Sequence, residues 1–258
     1  MDLIFCPHGQ SDKGFSAPLL APYAQQDIVL LYGDLLIDML KHLAIWPAID
    51  RFAIVGDYRL AHYQKHKPFY DAMADREIFS LLRPKRPTLL YAPTWQDADL
   101  SSSFYNWGLL LFSQLPADWN LIVKVHPLLE QRDPARYYAA LRNLDKIPNA
   151  LLISKFPPVH PILDRVDAYL GDYSSVGYDF LRYKRPMFFT PHPNLPSGRL
   201  HRCGHLLNPD IPIFSILEKH LEHPFAKEQE QLYRLAFGPR LKQEAVREAI
   251  KNTISHHP

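Results

Sequence analysis

Short apolar runs alternate along this chain with longer helical patterns, and this alternation restricts the fold more than any other feature of the sequence. Several runs are continuously apolar, which is typical of strands in a sheet that is covered on both faces. The alternation predicts an α/β fold with a mainly parallel sheet. Strands are predicted at Leu3–Cys6, Ile28–Tyr32, Phe52–Val55, Thr88–Tyr91, Leu121–Val125, Ala150–Ile153, Ala168–Leu170 and Met187–Thr190. Helices are predicted at Asp34–His42, Pro68–Leu82, Phe104–Gln114, Asp133–Leu144, Val176–Tyr183 and Lys227–Thr253.

A charged segment with flanking prolines, Leu82 to Pro87, is the predicted domain boundary. Residues 1–85 hold about three strands, which is fewer than a typical doubly wound domain contains. Residues 86–258 hold a fuller series of strands and helices, large enough for a complete nucleotide-binding lobe. We therefore expect an abbreviated first lobe, 1–85, and a Rossmann-like second lobe, 86–258.

The composition excludes several classes of protein. Apolar residues make up 47% and charged residues 22%, as in an ordinary globular protein rather than a disordered one. The 29 basic and 27 acidic side chains nearly balance, so nothing in the charge favours nucleic acid as a partner. No apolar run reaches membrane-spanning length, and the first residues do not resemble a signal peptide. With only Cys6 and Cys203, we expect a reducing, cytoplasmic location.

The first candidate site segment, Pro7-His8-Gly9-Gln10-Ser11-Asp12-Lys13-Gly14, follows the first predicted strand. A histidine suits a general base, because its unperturbed pKa lies close to the operating pH. Gly9 allows the backbone to approach a ligand, and Ser11 and Lys13 could hold phosphate oxygens. From these residues alone, a histidine that caps a turn is the simpler interpretation.

The second segment, Tyr91-Ala92-Pro93-Thr94-Trp95-Gln96-Asp97, follows the strand Thr88–Tyr91. Pro93 ends the strand and directs the Thr94 hydroxyl toward the edge where open α/β sheets bind ligands. Trp95 offers a large face to a base or to a neighbouring loop. Taken alone, a proline turn with a packed tryptophan explains the segment better.

The third segment, Lys124-Val125-His126-Pro127, ends the strand Leu121–Val125. Because side chains alternate along a strand, Lys124 and His126 point the same way. Two potential cations at the carboxyl end of a strand suit a diphosphate. A solvent-exposed lysine beside a half-buried histidine fits the residues equally well.

The fourth segment, Gly171-Asp172-Tyr173-Ser174-Ser175-Val176-Gly177-Tyr178-Asp179, joins a strand to a helix. Ser174 and Ser175 open the helix, where main-chain N–H groups and the dipole favour anions. Asp179 lies about one turn further along the same face, from which it could reach a ribose. A serine helix cap is the plain alternative.

Taken together and in this order, the four segments resemble the CDP-glycerol:poly(glycerophosphate) glycerophosphotransferases of teichoic-acid synthesis. The resemblance runs from about His8 to about Pro186 and includes the Lys184-Arg185-Pro186 that follows Asp179. It implies a GT-B-like fold, with two Rossmann-like lobes that face a cleft. It also implies a transferase that uses a CDP-alcohol donor, such as CDP-glycerol, and a lipid-linked or polymer acceptor, with peripheral contact at the inner membrane face.

The resemblance further implies a role for each matched residue. His8 is the expected base for the acceptor hydroxyl, and His126 is the expected second catalytic histidine, which stabilises phosphate charge. Donor contacts are implied for Gly9, Ser11, Arg59, Pro93, Thr94, Lys124, Ser174, Ser175 and Asp179. The scheme uses no metal and no cofactor apart from the donor, and the alternating His201, Cys203 and His205 are expected to be structural.

Two departures and two alternatives accompany this interpretation. The first lobe is shorter than in the family, and the stretch Thr190–Asn194 replaces a more acidic one that contains tyrosine. One alternative is a glycosyltransferase or capsule-type polymerase of the same fold that uses a nucleotide sugar. The other is a nucleotide-binding module without catalysis.

Overall fold

The computed structural model describes residues 2–11, 20–97, 100–142, 144–154, 156, 158–222, 225–239 and 241–255. Its strands are β1 (Ile4–Phe5), β2 (Ile28–Leu31), β3 (Phe52–Ile54), β4 (Thr88–Tyr91), β5 (Asn120–Lys124), β6 (Ala150–Ile153), β7 (Ala168–Gly171), β8 (Met187–Phe189) and β9 (His205–Leu206). Its α-helices are α1 (Asp34–His42), α2 (Tyr58–Lys65), α3 (Lys67–Glu77), α4 (Leu109–Gln114), α5 (Pro127–Arg132), α6 (Pro134–Leu141), α7 (His160–Leu163), α8 (Ser175–Phe180), α9 (Ile213–Lys219), α10 (Ala226–Phe237) and α11 (Gln243–Ser255).

The strands form two parallel sheets. The first sheet has the order β1-β2-β3, and the second has the order β6-β5-β4-β7-β8-β9. Every residue of β4, β7 and β8 is buried, as expected for strands covered on both faces. The predicted α/β class is confirmed, and each of the eight predicted strands is present with its ends within one residue. The short β9 is an addition that the sequence pattern did not predict.

The second sheet has the strand order of a doubly wound nucleotide-binding fold. The chain runs from β4 outward to β6, then returns to the other side of β4 and continues through β7, β8 and β9. The order therefore reverses between β4 and β7. In sheets of this kind, ligands bind beside that reversal, outside the carboxyl ends of the strands.

The chain divides into two compact units: residues 1–65 with 231–258, and residues 66–230. This division differs from the predicted boundary after residue 85. Helix α3 belongs to the second unit, where Asp75 accepts from Arg165 Nη2 at 3.1 Å and Lys67 pairs with Asp164. The C-terminal helix α11 returns to the first unit and packs on β3, where the Thr253 hydroxyl donates to the Phe52 carbonyl at 3.3 Å. The assignment of α3 to the second unit and of α11 to the first depends on tertiary contacts, which no local sequence pattern encodes.

The C-terminal region contains two helices where one, Lys227–Thr253, was predicted. Helix α10 ends at Phe237, Gly238 follows with a φ of 68°, and α11 begins at Gln243. A glycine in the left-handed region ends a helix, and Pro239 directly after it cannot continue one. The Gly-Pro pair is thus the physical reason for the correction. None of the helices in the described ranges combines the length and apolar character needed to cross a membrane.

Candidate donor-binding site

Three loops of the second unit meet at the carboxyl edge of its sheet, on both sides of the strand-order reversal. Tyr91 of β4 pairs with Val123 of β5 on one side and with Leu170 of β7 on the other. The loops after these strands carry Thr94, His126 and Ser174, each within three residues of its strand. The topology therefore gathers three predicted site segments at one edge.

The loop after β4 is fixed by a carboxylate from the loop after β7. The main-chain N–H of Thr94 lies 2.9 Å and 3.2 Å from the two carboxylate oxygens of Asp172. Ser103 donates to the same carboxylate through its N–H and its hydroxyl, each at 2.8 Å. Thr94 and Asp172 are both buried. A carboxylate is stable in such a place when N–H and O–H groups satisfy it.

A run of three buried serines completes this loop. The Ser101 hydroxyl donates to Asp97 at 2.7 Å, and the Ser102 hydroxyl donates to the Thr94 carbonyl at 2.7 Å. A serine run is ordinarily exposed, so no feature of the sequence pointed to these bonds. The run shapes the segment on which Thr94 lies.

Lys124 and His126 are both half-buried but make different contacts. The ammonium of Lys124 donates to the Phe156 carbonyl at 3.1 Å, and burial lowers the pKa of Lys124 below its ordinary value. His126 caps α5, because its Nδ1 accepts from the Leu128 N–H at 3.1 Å. An accepting Nδ1 places the ring proton on Nε2. His126 can therefore donate a hydrogen bond from Nε2.

Trp95 lies close to Arg132 and His126, which both belong to the segment after β5. The guanidinium carbon of Arg132 is 4.4 Å from the centre of the Trp95 ring, which is a cation–π distance. The imidazole of His126 is 6.5 Å from the same ring, centre to centre. The tryptophan thus links the loops after β4 and β5.

The loop after β7 begins helix α8. The hydroxyl oxygen of Ser174 caps this helix by accepting from the Val176 N–H at 3.4 Å, and Ser175 is its first residue. Asp179 lies on the same helix and is 1% exposed. The predicted helix start is present, and the site roles of these three residues remain predictions.

A small residue is required at the end of β7. A Cβ on Gly171 would lie 2.1 Å from the hydroxyl of Tyr169, which is fully buried. The glycine therefore makes room for the tyrosine ring directly before Asp172.

The loop after β8 contacts the segment after β4 through His192. His192 Nδ1 accepts from the N–H groups of Asn194 and Leu195, and its Nε2 lies 3.1 Å from the Leu100 carbonyl. The hydroxyl of Tyr173 donates to the Pro196 carbonyl at 2.9 Å. The stretch that differs from the family thus has a defined structural role, in which His192 links two loops.

In the first unit, His8, the predicted base, lies on a loop whose main-chain carbonyls accept hydrogen bonds from three side chains. The Pro7 carbonyl accepts from the hydroxyls of Tyr32 and Tyr58 at 2.6 Å and 3.3 Å. The His8 carbonyl accepts from Arg59 Nη1 at 2.9 Å, and the His8 side chain is exposed. Arg59, a predicted donor contact, therefore contacts the His8 loop.

Helix α2, which carries Arg59, is itself anchored. Asp57 caps the helix by accepting from the Leu60 N–H at 3.0 Å, and its other oxygen accepts from the Tyr233 hydroxyl at 2.9 Å. Gly9 and Ser11 lie half-buried on the His8 loop. Lys13, a predicted phosphate contact, lies outside the described residues.

The alternating His201, Cys203 and His205 have separate contacts. His201 Nδ1 accepts from the Gly198 N–H at 3.1 Å, whereas His205 stacks on His220 at 4.0 Å between ring centres. Within the described ranges, no group of three or more histidine, cysteine or acidic side chains is arranged to hold a metal ion.

Comparison with known proteins assigns the family. Residues 62–192, just over half of the chain, match the family CDP-Glycerol:Poly(glycerophosphate) glycerophosphotransferase. The chain belongs to this glycerophosphotransferase family. The matched part contains Pro93, Thr94, Lys124, His126, Ser174, Ser175 and Asp179, and it excludes His8, Gly9, Ser11 and Arg59.

Two curated relatives from the genus Staphylococcus are similar over part of the chain. The teichoic acid ribitol-phosphate polymerase TarL of Staphylococcus aureus is 24% identical over 182 residues, covering 59% of this chain and 31% of TarL. The teichoic acid poly(glycerol phosphate) polymerase of Staphylococcus epidermidis is 25% identical over 158 residues, covering 57% of this chain and 20% of that enzyme. This glycerophosphotransferase-family chain thus spans a third or less of the length of either relative.

The fold extends beyond the matched residues. The wall teichoic acid polymerase TagF superposes with a TM-score of 0.62 at 17% identity, covering 99% of this chain and 65% of TagF. A TagF variant, H444N, soaked with CDPG gives a TM-score of 0.61. The predicted fold, which the family resemblance described as GT-B-like, is confirmed by this similarity.

Proposed function

We propose that this chain transfers a polyol phosphate, such as glycerol phosphate, from a CDP-linked donor to an acceptor hydroxyl during synthesis of a teichoic-acid-type polymer. One observation carries the proposal: the loops that carry His126, Thr94 and Ser174 follow the neighbouring parallel strands β5, β4 and β7, beside the strand-order reversal of the second sheet. A nucleotide diphosphate is the ligand expected at that edge.

The donor phosphates need hydrogen-bond donors and positive charge. The hydroxyls of Ser174 and Ser175, at the start of α8, are proposed to donate hydrogen bonds to these phosphates, as is the Nε2–H of His126. The ammonium of Lys124, the last residue of β5, is the proposed source of positive charge. Pro93 and Thr94 line the nucleotide side, and Asp179 is the proposed ribose contact. Gly9 and Ser11 are proposed to make further contacts with the donor substrate.

The reaction follows from the chemistry of a diphosphate. The acceptor oxygen attacks the phosphorus distal to the nucleoside, the bond from that phosphorus to the bridging oxygen breaks, and CMP leaves with the electron pair. The imidazole of His8 is the proposed base that takes the proton of the attacking hydroxyl. Hydrogen bonds from His126 and the two serines stabilise charge on the transferred phosphate, which is the main protein contribution in phosphoryl transfer.

Donor recognition is tested by calorimetry with CDP and UDP. We expect CDP to bind and UDP to bind more weakly, and we expect Ser174→Ala to weaken CDP binding. Ser113→Ala is the matched control, because Ser113 lies outside the proposed site and its hydroxyl donates to the Leu110 carbonyl within α4. Failure of the wild-type chain to bind CDP would contradict the proposal.

Turnover is tested by release of CMP from CDP-glycerol and CDP-ribitol with a short poly(glycerol phosphate) acceptor. We expect His8→Ala to abolish release, whereas His42→Ala, which changes an exposed histidine of α1, leaves it unchanged. UDP release from a UDP-sugar would favour the glycosyltransferase alternative. CDP binding without turnover, unaffected by His8→Ala, would favour a binding module.

A further inference from the structure

Asp172 is a buried acidic residue directly after β7, and it is 1% exposed. An ionised carboxylate is unfavourable in such a place unless several donors compensate it. Its position, at the reversal between β4 and β7, is also the point where a nucleotide is expected. The sequence pattern assigned it no role.

The groups that satisfy Asp172 come from another loop, 78 and 69 residues earlier in the chain. They are the N–H of Thr94 and both donors of Ser103. One carboxylate therefore joins the loops on the two sides of the reversal.

We propose that Asp172 is a positioning residue of the donor site, which fixes the main chain of Thr94 so that this segment fits the nucleotide diphosphate. The inference rests on the proposed function, because it concerns the same site. Asp172 acts through Thr94 and Ser103 and is not itself a phosphate contact.

Both main-chain polar groups of Thr94, its N–H and its carbonyl, are hydrogen-bonded. Its N–H donates to Asp172 at 2.9 Å and its carbonyl accepts from the Ser102 hydroxyl at 2.7 Å. With both main-chain groups bonded, the backbone of Thr94 and of the turn after Pro93 is restrained. A site prepared in this way loses less conformational freedom when a ligand binds.

The hydrogen atoms in this network have a definite order. A carboxylate only accepts, so the Ser103 hydroxyl donates to Asp172. The Tyr91 hydroxyl, 2.8 Å from the same serine oxygen, must then donate to Ser103. Burial, with the nearby negative charge of Asp172, raises the pKa of Tyr91 well above its ordinary value, so Tyr91 keeps its proton. The chain of bonds from β4 to β7 thus depends on the charge at Asp172.

The test compares Asp172→Asn with Asn120→Asp. Asp172→Asn keeps the shape of the side chain but replaces one accepting oxygen with an NH₂ group, which cannot accept a hydrogen bond from Thr94 or Ser103. Asn120 is a buried polar residue at the opposite, amino-terminal end of β5, where its Nδ2 donates to the Arg83 carbonyl at 2.8 Å. The two isosteric exchanges disturb buried hydrogen bonds of the same unit, one near the proposed site and one away from it.

Two readouts separate positioning from general stability. We expect Asp172→Asn to weaken CDP binding about tenfold or more and to speed amide hydrogen exchange in peptides that contain Thr94 and Ser103. Asn120→Asp should lower the melting temperature while both readouts stay at the wild-type level. Ser103→Ala, which removes one donor and keeps the charge, should show the same changes to a smaller extent.

The possible failures are distinguishable. If Asp172→Asn binds CDP as the wild type does, or if Asn120→Asp loses the same affinity, Asp172 is not a positioning residue for this ligand. If the wild-type chain does not bind CDP, the proposed function fails. In that case, amide hydrogen exchange still tests the structural part of the inference. Unchanged exchange at Thr94 and Ser103 in Asp172→Asn would overturn the positioning role as well. Faster exchange would show that Asp172 fixes the loop after β4.

Discussion

The guanidinium of Arg59 donates from Nη1 to the main-chain oxygen of His8 at 2.9 Å. The preceding carbonyl, that of Pro7, accepts from two tyrosine hydroxyls. These bonds fix the backbone of the His8 loop and leave its imidazole exposed. The arginine is therefore suited to orient the proposed base.

Arg59→Ala should lower the rate of CMP release about tenfold, because the His8 carbonyl loses a charged hydrogen-bond donor. CDP affinity, measured by calorimetry, should not change. The matched control is Arg51→Ala, which removes an arginine of the same unit that pairs with Asp2 at 3.1 Å. Weaker CDP binding by Arg59→Ala with normal turnover would instead support the donor-binding role that the family resemblance implies.

Substitutions of His126 should separate its cap from its proposed catalytic role. Asparagine can accept from the Leu128 N–H as the imidazole does, so His126→Asn should retain wild-type stability. His126→Ala loses the cap and should be less stable by about 1 kcal/mol. Chemical denaturation measures the stabilities, and CMP release should be lost in both variants. Equal destabilisation of the two variants would contradict the cap assignment, and normal release by His126→Asn would contradict the catalytic one.

The low pKa of Lys124 predicts how CDP binding depends on pH. Burial lowers this pKa below 10.5, so the ammonium is lost at a lower pH than in an exposed lysine. CDP affinity should therefore fall as the pH rises through the lowered pKa toward 10.5. Lys124→Met should bind more weakly at neutral pH and lack this fall, whereas the exposed Lys219→Met should follow the wild type. Parallel curves for wild type and Lys124→Met would refute a charge contribution.

The same shift sets the sign of a stability effect. Between the folded pKa of Lys124 and 10.5, the unfolded chain binds more protons than the folded chain. Stability therefore gains from Lys124 as pH rises through that window, and the penalty of the buried charge is fully present below it. Denaturation of wild type and Lys124→Met at pH 7 and pH 10 measures this difference. A difference between the two proteins that does not change with pH would contradict it.

Gly171→Ala should destabilise the second unit by roughly 1–3 kcal/mol, because the added methyl would overlap the ring of Tyr169. Thermal and urea denaturation measure the change. The control is Gly108→Ala, where the nearest atom to an added Cβ lies 3.4 Å away and the backbone is helical, with φ at −60°. That substitution should be neutral or slightly stabilising. A wild-type melting temperature for Gly171→Ala would show that Tyr169 can shift without cost.

Much of the fold was predictable from the sequence because the period of apolar residues is a local property. Buried parallel strands need continuously apolar runs, and prolines or glycines mark the ends of elements, so eight strands were placed to within a residue. The same strand ends located His8, Thr94, His126 and Ser174. The Gly238-Pro239 break between the last two helices was also a local signal, which the longer helical pattern obscured.

The partition of the chain was not predictable in this way. The last helix packs on β3, about 200 residues earlier in the chain, as the bond between Thr253 and Phe52 shows. Helix α3 packs against the short helix α7 of the second unit. Contacts at such separations depend on which surfaces fit together, and the sequence pattern does not contain that information.

By itself, the sequence determined the α/β class, the strand positions and the residue types available at the strand ends, because backbone sterics and local apolar periodicity act over a few residues. Only the tertiary structure decided what those residues contact. It placed Arg59 on the His8 carbonyl, made His126 a helix cap, and buried Asp172 against Thr94 and Ser103. Hydrogen bonds between distant segments form only after the strands are ordered in a sheet, which is why no local pattern could assign them.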